Sequence, residues 1–414
     1  MLHALRLHDY RSFADSGRIE LSDVNIFIGP NSAGKSNIMT AIELALYTTE
    51  RSGAGPLALA QVTSFGSFDS ILRRPGKNRK SDNAEFALVY EWENFGARFM
   101  LRRAPSTGAT VVHRAEYFNR DSPDKAVLSA EATDYEASEY RGHDDTKLKG
   151  QIIFAHGVPL RLQENKPRSA SRVGSVAYPA FEFNTLRDTM IVRPHRPVPR
   201  SVYVLDDPMM NLDDSRLISD LLRLWSEDGD SKARTTIVEN LQTMKLDVDI
   251  EARTIGRRKG PRTAEIRVSP RKKSEAATLA DVGYGVSQIL PLLSHDAQLT
   301  RGNLVAYQPE AHLHPLAQSR LADVFVASAE RGNKVYVETH SEHLVTRLQA
   351  LVAAGLDPAK VRVFCVEHDG KQSVVTTMIF DKQGIPKTRW PTGFLDTGLD
   401  LARDLAAKRR EKTP

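Results

Sequence analysis

Gly29-Pro30-Asn31-Ser32-Ala33-Gly34-Lys35-Ser36 decides the fold of this chain, because it matches the phosphate-binding loop pattern G-x-x-x-x-G-K-[ST] at every fixed position. The mostly apolar run at 24–28 predicts a buried strand before it, and apolar residues at helical spacing over 38–46 predict a helix after it. A strand–loop–helix unit of this kind turns backbone N–H groups and a helix N-terminus toward a phosphate. The sequence therefore predicts a nucleoside triphosphate site in an α/β fold.

Two side chains of this P-loop carry chemistry of their own. The ammonium group of Lys35 is expected to reach the outer phosphates of the nucleotide, and the hydroxyl of Ser36 is expected to hold Mg²⁺. Arg11, in the turn Tyr10-Arg11-Ser12-Phe13, has two interpretations. It either reaches the phosphates from the N-terminal strands or is an exposed turn arginine.

Composition limits the class of protein. The chain has 414 residues, which allows two or three domains or one domain with large insertions. It is 41% hydrophobic and 26% charged, as ordinary globular proteins are, and no stretch approaches the ~18 apolar residues of a membrane span. A single cysteine, Cys365, excludes a disulfide or a cysteine-based metal site within one chain. We expect a cytoplasmic protein with no signal peptide and no membrane partner.

Two parts of the first 103 residues are predicted to form strands. Alternating apolar residues predict two or three strands over 2–28 and a hairpin of strands over 85–92 and 97–103. Residues 121–145 are rich in acids, serine and glycine and poor in large aliphatic side chains. That composition predicts an inserted, mobile surface segment.

The middle of the chain combines a basic strip, a helical pair and basic turns. Prolines exclude a helix over 187–200, so the arginines there form an extended strip that serves a phosphate, an acidic partner or solubility. Apolar residues at helical spacing over 217–225 and 237–244 predict a short helical hairpin, and sustained heptads are absent. The basic turns over 257–273 are either a solvated hairpin tip or a contact to a nucleic-acid backbone.

A second apolar strand, at 304–306, leads into Tyr307-Gln308-Pro309-Glu310. A buried strand that ends in acids beside a P-loop positions Mg²⁺ and the attacking water in such proteins. Tyr307 and Gln308 stand where an Asp-Glu pair is usual, which leaves Glu310 as the carboxylate for this task. The alternative of a separate metal cluster of Gln308, Glu310 and His312 is disfavoured, because its spacing is not helical.

Two further motifs point to phosphate chemistry. The strand at 334–339 ends at His340, whose imidazole can hydrogen-bond the γ-phosphate. Upstream, Asp281–Leu293 contains two glycines, a serine and a glutamine that open an apolar helix, which is a second anion-binding turn. One subunit does not need two such turns for one nucleotide. The second turn is therefore predicted to complete the site of a second copy.

Together these motifs resemble the ABC-type ATPases of the SMC, RecF and OLD group, and especially short bacterial AAA-family proteins with OLD-like ATPase domains. Gly29–Asn37 is similar to Walker A, 281–293 to the signature turn, 307–315 to a Q-P-E-x-H-L-H-P form of Walker B with its D-loop, and 338–343 to the switch segment. The resemblance implies an α/β P-loop NTPase of the ABC-ATPase head type. It would carry N-terminal antiparallel strands, an inserted central segment and a short helical hairpin.

The resemblance also implies a site that two copies share, with Walker A of one facing the signature turn of the other. The predicted catalytic residues are Glu310, Gln308 and His340, and Ser36 and Glu310 are expected to hold Mg²⁺. The residues expected to bind ATP are Asn31, Ser32, Ala33, Gly34, Lys35, Ser36, Asn37, Gly283, Gly285 and Ser287. The missing Walker B acids leave open whether hydrolysis is slow.

The motif positions predict four segments. They are an ATPase lobe with Walker A over 1–115, an inserted segment with the helical hairpin over 116–275, an ATPase lobe with signature, Walker B and switch histidine over 276–355, and a small C-terminal hairpin and helix domain over 356–414. Little chain follows the switch segment. We therefore expect no fused nuclease of the kind that OLD proteins carry.

These features predict an ATPase subunit of a bacterial anti-phage defence system. It would dimerise on ATP and control a separate effector, a nuclease or a toxin. One alternative is a RecF-like ATP-dependent DNA clamp in repair, which the basic turns and the arginine strip favour. Another is a non-hydrolysing scaffold held by ATP, which Tyr307 and Gln308 favour. The spelling of the signature and Walker B motifs disfavours an ABC transporter subunit.

Overall fold

A computed structural model describes most of the chain, and the chain divides into two compact units. The described residues are 1–50, 67–73, 84–93, 95–133, 140–144, 149–155, 158–164, 175–177, 188–194, 196, 198–205, 212–226, 229, 231–255, 262–270, 276–390 and 394. The first unit comprises Met1–Ser22, Ile28–Thr189 and Phe364–Thr377, and the second comprises Asp23–Phe27, Met190–Val363 and Met378–Pro414.

Strands dominate the first half of the chain and helices the second. The strands of the first half are β1 (Ala4–Tyr10), β2 (Phe13–Asp15), β3 (Ile19–Glu20), β4 (Val24–Ile28), β5 (Glu85–Glu91), β6 (Phe95–Arg103), β7 (Thr110–Asn119), β8 (Ala126–Ala132), β9 (Tyr140–Asp144), β10 (Lys149–Ala155), β11 (Val158–Glu164) and β12 (Ser175–Ala177). The remaining strands are β13 (Thr189–Val192), β14 (Tyr203–Val204), β15 (Val248–Ile255), β16 (Thr263–Pro270), β17 (Ala277–Thr278), β18 (Asn303–Tyr307), β19 (Lys334–Glu338), β20 (Val361–His368) and β21 (Ser373–Met378). The helices are α1 (Lys35–Glu50), α2 (Phe68–Ile71), α3 (Leu212–Leu224), α4 (Ser231–Thr243), α5 (Tyr284–Gln298), α6 (Pro315–Glu330) and α7 (Glu342–Ala353).

The first unit is built on a large antiparallel sheet. Within the described residues it has eleven strands in the order β12-β11-β10-β9-β8-β7-β6-β5-β1-β2, with β3 beside β1. Every second residue of β5 is buried, which gives the sheet an apolar face. The hydroxyl of Tyr90, on that face, donates to the Ala41 carbonyl of α1 at 2.8 Å. The helix that follows the P-loop therefore packs against this sheet.

Residues 121–145 contain strands of this sheet, so the prediction of a surface segment was wrong for the part that the structure describes. β8 pairs with β7 on one side and with β9 on the other. Leu128 and Ala130 of β8 are fully buried. Only one face of such a strand is covered, so a strand needs few large aliphatic residues. Residues 134–139 and 145 of the predicted segment lie outside the described residues.

A second sheet has the strand order β13-β18-β19-β4-β20-β21. β18 pairs with β19, and β19 pairs with β4, in parallel, with Tyr307 opposite Glu338 and Glu338 opposite Phe27. All residues of these three strands are buried, as in parallel sheets that are covered on both faces. Parallel strands end at the same edge of their sheet, and that edge is where α/β proteins bind ligands. The α/β fold that the sequence predicted is confirmed.

The second unit also contains the predicted helical hairpin, formed by α3 and α4, and a small antiparallel sheet. The order in that sheet is β14-β16-β15, with β17 beside β16. The basic residues 257–259 and 271–273 lie outside the described residues, as do 395–414. The four-segment division stays a prediction, and two strands of its last segment, β20 and β21, belong to the same sheet as β4. Among the described residues, no helix is long and apolar enough to cross a membrane.

Candidate functional site

The P-loop forms a tight turn between β4 and α1. Ser32 and Gly34 have positive φ angles of 62° and 111°, and Gly29 has a φ of 141°. A Cβ atom at Gly29 would overlap the Val366 carbonyl, and one at Gly34 would lie 2.8 Å from the Ser12 and Ser373 hydroxyls. Only glycine fits at positions 29 and 34, because any other residue would have an unfavourable φ angle there and its Cβ atom would overlap neighbouring atoms.

Lys35 places its charge inside this turn. Its side chain is buried, and Nζ donates to the carbonyls of Gly29 at 3.0 Å and Pro30 at 2.8 Å. Lys35 is also the first residue of α1, so the positive end of the helix dipole adds to the ammonium charge. A glycine-lined turn with a helix N-terminus and a buried ammonium is a donor set that fits a nucleotide phosphate.

Polar side chains of the first unit support the P-loop. Arg11 donates from Nη1 to Asn37 Oδ1 at 3.0 Å, and Asn37 donates from Nδ2 to Ser12 Oγ at 2.9 Å. Ser373 donates from Oγ to the Ala33 carbonyl at 2.5 Å. Arg11 therefore contacts the start of α1, and whether it reaches the phosphates stays a prediction. Ser373 carried no signal in the sequence.

At the edge of the parallel sheet, the ends of β18, β19 and β4 are tied together. The amide of Gln308 donates to the Glu338 carbonyl at 2.7 Å, and the amide of Thr339 donates to the Phe27 carbonyl at 3.1 Å. These two bonds continue the strand pairing by one residue beyond the end of β18 and by one residue beyond the end of β19. The segment 308–314 between β18 and α6, here called the Glu310 loop, therefore begins beside the ends of β19 and β18 in this sheet.

Glu310 is a buried carboxylate at this edge. It is 8% exposed, and its Oε1 accepts a hydrogen bond from the His340 amide at 2.8 Å. Within the part of the chain that the structure describes, the buried Oε2 has no hydrogen-bond partner. Burial raises the pKa of Glu310, while the His340 amide, the Thr339 hydroxyl and the charge of Arg196 oppose the shift. A buried carboxylate oxygen without a partner is costly, so its position fits a water or Mg²⁺ ligand.

Two arginines of the strip, not predicted as site residues, contact the end of β18. Arg196 donates to the carbonyls of Gln308 and Gln288, each at 2.8 Å. The guanidinium of Arg193 lies 5.4 Å from the ring centre of the buried Tyr307. The strip therefore does more than confer solubility. The prolines of the strip predicted an extended segment, but no sequence pattern predicted its contact with the Walker B region.

The backbone of the Glu310 loop is strained. Gln308 and His312 have positive φ angles of 44° and 64°, which residues other than glycine seldom adopt. Two turn bonds hold this backbone, from the Ala311 amide to the Gln308 carbonyl and from the Leu313 amide to the Glu310 carbonyl. Such strain concentrates at functional sites, where the surrounding structure holds it.

The signature turn opens helix α5. Gly283 is the N-cap residue, and a Cβ atom there would meet nothing within 4 Å. A Cβ atom at Gly285 would lie 3.2 Å from the His312 carbonyl of the Glu310 loop. The hydroxyl of the buried Ser287 donates to the Tyr284 carbonyl at 2.9 Å. The turn thus offers open space at Gly283 and a close contact to the Glu310 loop at Gly285.

His340 follows β19 directly. Its side chain is exposed, and its amide is the donor to Glu310. Ser341 then caps α7 by accepting from the Leu344 amide at 3.3 Å. Among the described residues, no group of three or more His, Cys, Asp or Glu side chains is arranged to hold a metal ion.

Comparisons with known proteins place this geometry in context. The sequence pattern of the AAA ATPase domain family matches residues 1–134 and 208–345, more than half of the chain. No curated protein sequence matches the chain.

Three similar solved structures are SMC heads of low sequence identity. One is an SMC head bound to the C-winged helix domain of ScpA, at 15% identity over 92% of this chain and 98% of that chain, with a TM-score of 0.46. Another is the SMC head domain from Thermotoga maritima, at 12% identity over 91% and 98%, with a TM-score of 0.40. A third, from Pyrococcus furiosus, carries an extended coiled coil and is bound to the C-terminal domain of ScpA, at 12% identity over 98% and 99%, with a TM-score of 0.43.

Proposed function

Since this chain belongs to the AAA ATPase domain family, we propose that it binds and hydrolyses ATP as an ABC-type ATPase subunit. The observation that carries the proposal is the P-loop, in which a buried ammonium lies in a glycine-lined turn at the start of α1. This arrangement supplies positive charge and backbone donors for phosphates that carry several negative charges.

The predicted site residues have separate roles in binding phosphate, holding Mg²⁺ and activating water. Lys35 binds the outer phosphates, and Ser36 and Glu310 are the residues that would hold Mg²⁺. Bound Mg²⁺ supplies neutralisation of the charge that builds up on the phosphates during transfer. Glu310 also orients the attacking water or takes its proton, a task that suits a carboxylate with a raised pKa. Gln308 and His340 follow the two strands beside it and complete the predicted catalytic set.

The second anion-binding turn supports a dimer formed on ATP. Gly283 leaves the N-terminus of α5 open, so a phosphate of a second copy's nucleotide has room to approach it. In this arrangement Gly283, Gly285 and Ser287 of one copy face the P-loop of the other. We propose that the two copies close around two ATP molecules in the cytoplasm and open after hydrolysis.

The role of this dimer is proposed from the family resemblance alone. It would control a separate effector, a nuclease or a toxin, in bacterial anti-phage defence. The test is co-purification of the chain with the product of the neighbouring gene, with ATP and without it. A complex that forms or releases only with ATP supports the proposal, and a neighbour that never associates contradicts it.

A second candidate function, a non-hydrolysing scaffold held by ATP, is favoured by one observation. Tyr307 fills the place where an acid is usual, and Arg193 lies over its ring. An arginine and a neutral tyrosine there supply no carboxylate ligand for Mg²⁺. The RecF-like DNA clamp gains no such support, because its basic turns lie outside the described residues.

ATP hydrolysis decides between these functions. We expect slow Mg²⁺-dependent hydrolysis by the wild type and a loss of about 100-fold in Glu310→Gln, because an amide does not act as a general base. Glu330→Gln, which changes an exposed glutamate at the end of α6, is the matched control and should keep the wild-type rate.

The other outcomes of this hydrolysis experiment favour one of the alternative functions or contradict the proposal. A wild type that binds ATP without turning it over favours the scaffold. Stimulation of hydrolysis by duplex DNA favours the clamp. A wild type that does not bind ATP contradicts the proposed function as a whole.

A further inference from the structure

Arg196 joins two parts of the second unit that are both far from it in sequence. Its Nη1 donates to the carbonyl of Gln288, in helix α5, at 2.8 Å. Its Nη2 donates to the carbonyl of Gln308, in the Glu310 loop, also at 2.8 Å. Hydrogen bonds from a charged donor are roughly twice as strong as neutral ones, and a planar guanidinium fixes the direction of both.

The Gln288 carbonyl lies inside helix α5, near Pro291. A backbone carbonyl has two lone pairs, so it can accept from a side chain as well as from its own helix. Arg196 uses this second acceptor position.

The guanidinium is a partly buried charge that backbone carbonyls surround. Longer contacts lead from Nη2 to the Tyr307 carbonyl at 3.4 Å and from Nη1 to the Pro309 carbonyl at 3.5 Å. Burial lowers the pKa of Arg196 to about 10, and the negative charge of Glu310 opposes that shift. The group is still protonated at neutral pH, so these carbonyls accept from a charged donor.

A short series of contacts leads from Arg196 to the candidate catalytic carboxylate. Gln308, which binds Arg196 through its carbonyl, also receives the Ala311 amide in the turn that contains Glu310. Glu310 then accepts the His340 amide through Oε1. The first turn of α5 also contacts this loop, since the centre of the Tyr284 ring lies 5.7 Å from the centre of the His312 ring.

We propose that Arg196 is a positioning residue that couples the signature turn to the Glu310 loop. An anion bound at the first turn of α5 then sets the position of Glu310, because the two segments move as one piece. This inference rests on the proposed function and deepens it. It assigns to one partly buried arginine the link between the binding of a second copy and the carboxylate proposed to act in hydrolysis.

The test uses the full chain and three variants. Arg196→Met removes the charge and both hydrogen bonds. Arg196→Lys keeps the charge, but a single ammonium does not reproduce the fixed fork that spans two carbonyls. Arg200→Lys makes the same exchange at an exposed arginine of the same strip and is the matched control.

Hydrogen exchange without nucleotide tests the link itself. In Arg196→Met we expect exchange to rise about tenfold or more in peptides over 284–290 and 308–314 together, since two charge-assisted bonds are lost. Arg196→Lys should show a smaller rise in both peptides, and Arg200→Lys should match the wild type. A rise in only one peptide, or in neither, overturns the proposal.

Kinetics separates coupling from a general structural role. In Arg196→Met we expect kcat to fall about tenfold with KM for ATP within twofold of wild type, and Arg196→Lys should recover part of kcat. A parallel loss of kcat and ATP affinity overturns the coupling. If the wild type does not bind ATP, the proposed function fails, while the exchange experiment without nucleotide still decides whether Arg196 joins the two segments.

Discussion

The P-loop and the Glu310 loop each follow a buried parallel strand, but their sequences are used in different ways. The P-loop keeps every fixed residue of its motif, and its backbone and Lys35 supply the features that such a loop needs. The Glu310 loop lacks the usual acid pair and is held by strained backbone, by Arg196 and by the His340 amide. The P-loop therefore keeps the usual phosphate-binding motif, while the Glu310 loop departs from the usual motif and is held by contacts between distant residues.

The largest effect is expected at the P-loop. Lys35→Ala removes the buried ammonium, so ATP affinity should fall about 100-fold, in line with the loss of charge-assisted contacts to phosphate. Equilibrium titration with a fluorescent ATP analogue measures this. Lys360→Ala, at an exposed lysine, is the control. Equal affinity in wild type and Lys35→Ala would mean that the P-loop does not bind the nucleotide.

Gly29→Ala tests the packing of the same loop. A methyl group at this position meets the Val366 carbonyl and a φ of 141°, so we expect the free energy of unfolding to fall by about 1–3 kcal/mol. Chemical denaturation measures it. Gly283→Ala, where a methyl group meets nothing within 4 Å, should leave the unfolding transition nearly unchanged. Equal losses in both variants would show that the contact at Gly29 is not the cause.

Gln308→Glu returns a carboxylate to the loop that lacks its acid pair. An ionised carboxylate is a better proton acceptor and Mg²⁺ ligand than an amide, so we expect ATP turnover to rise about tenfold. The corresponding exchange at an exposed glutamine, Gln383→Glu, serves as the control. Turnover that stays the same or falls would mean that the missing acid does not limit hydrolysis.

The smallest effect concerns stability and pH at Glu310. Burial raises the pKa of this carboxyl above its ordinary value of 4.5, so the folded protein binds the proton more tightly than the unfolded chain does. The stability it contributes is present below the unfolded pKa and is lost as pH rises through the folded pKa. Glu310→Gln does not titrate and still accepts from the His340 amide. Its Tm relative to wild type should therefore be higher at pH 7 than at pH 4.5, and a pH-independent difference would contradict this.

Local patterns explain what the sequence predicted well. The P-loop with its strand and helix, the hairpin of β5 and β6 and the pair α3 and α4 are each encoded by neighbouring residues. The family match confirms the predicted resemblance to AAA-family ATPases. The strand β8 was missed because small and polar residues fill much of a strand that is buried on one face only.

The rest of the site depends on contacts between distant residues, which a single sequence does not encode locally. Arg196 meets carbonyls 92 and 112 residues further along the chain. Ser373 contacts the P-loop across 340 residues. Backbone carbonyls are the acceptors in all three contacts, so no pattern of side chains in the sequence predicts these contacts. The catalytic and ATP-binding residues named from the motifs stay predictions.

The most direct test is the pH dependence of single-turnover ATP hydrolysis at saturating ATP and Mg²⁺. If Glu310 acts in its ionised form, the wild-type rate should fall on the acidic side, where this carboxylate becomes protonated. Glu310→Gln should then give a low rate that lacks this transition. A Glu310→Gln variant that hydrolyses ATP at the wild-type rate, with the same pH profile, would contradict the account.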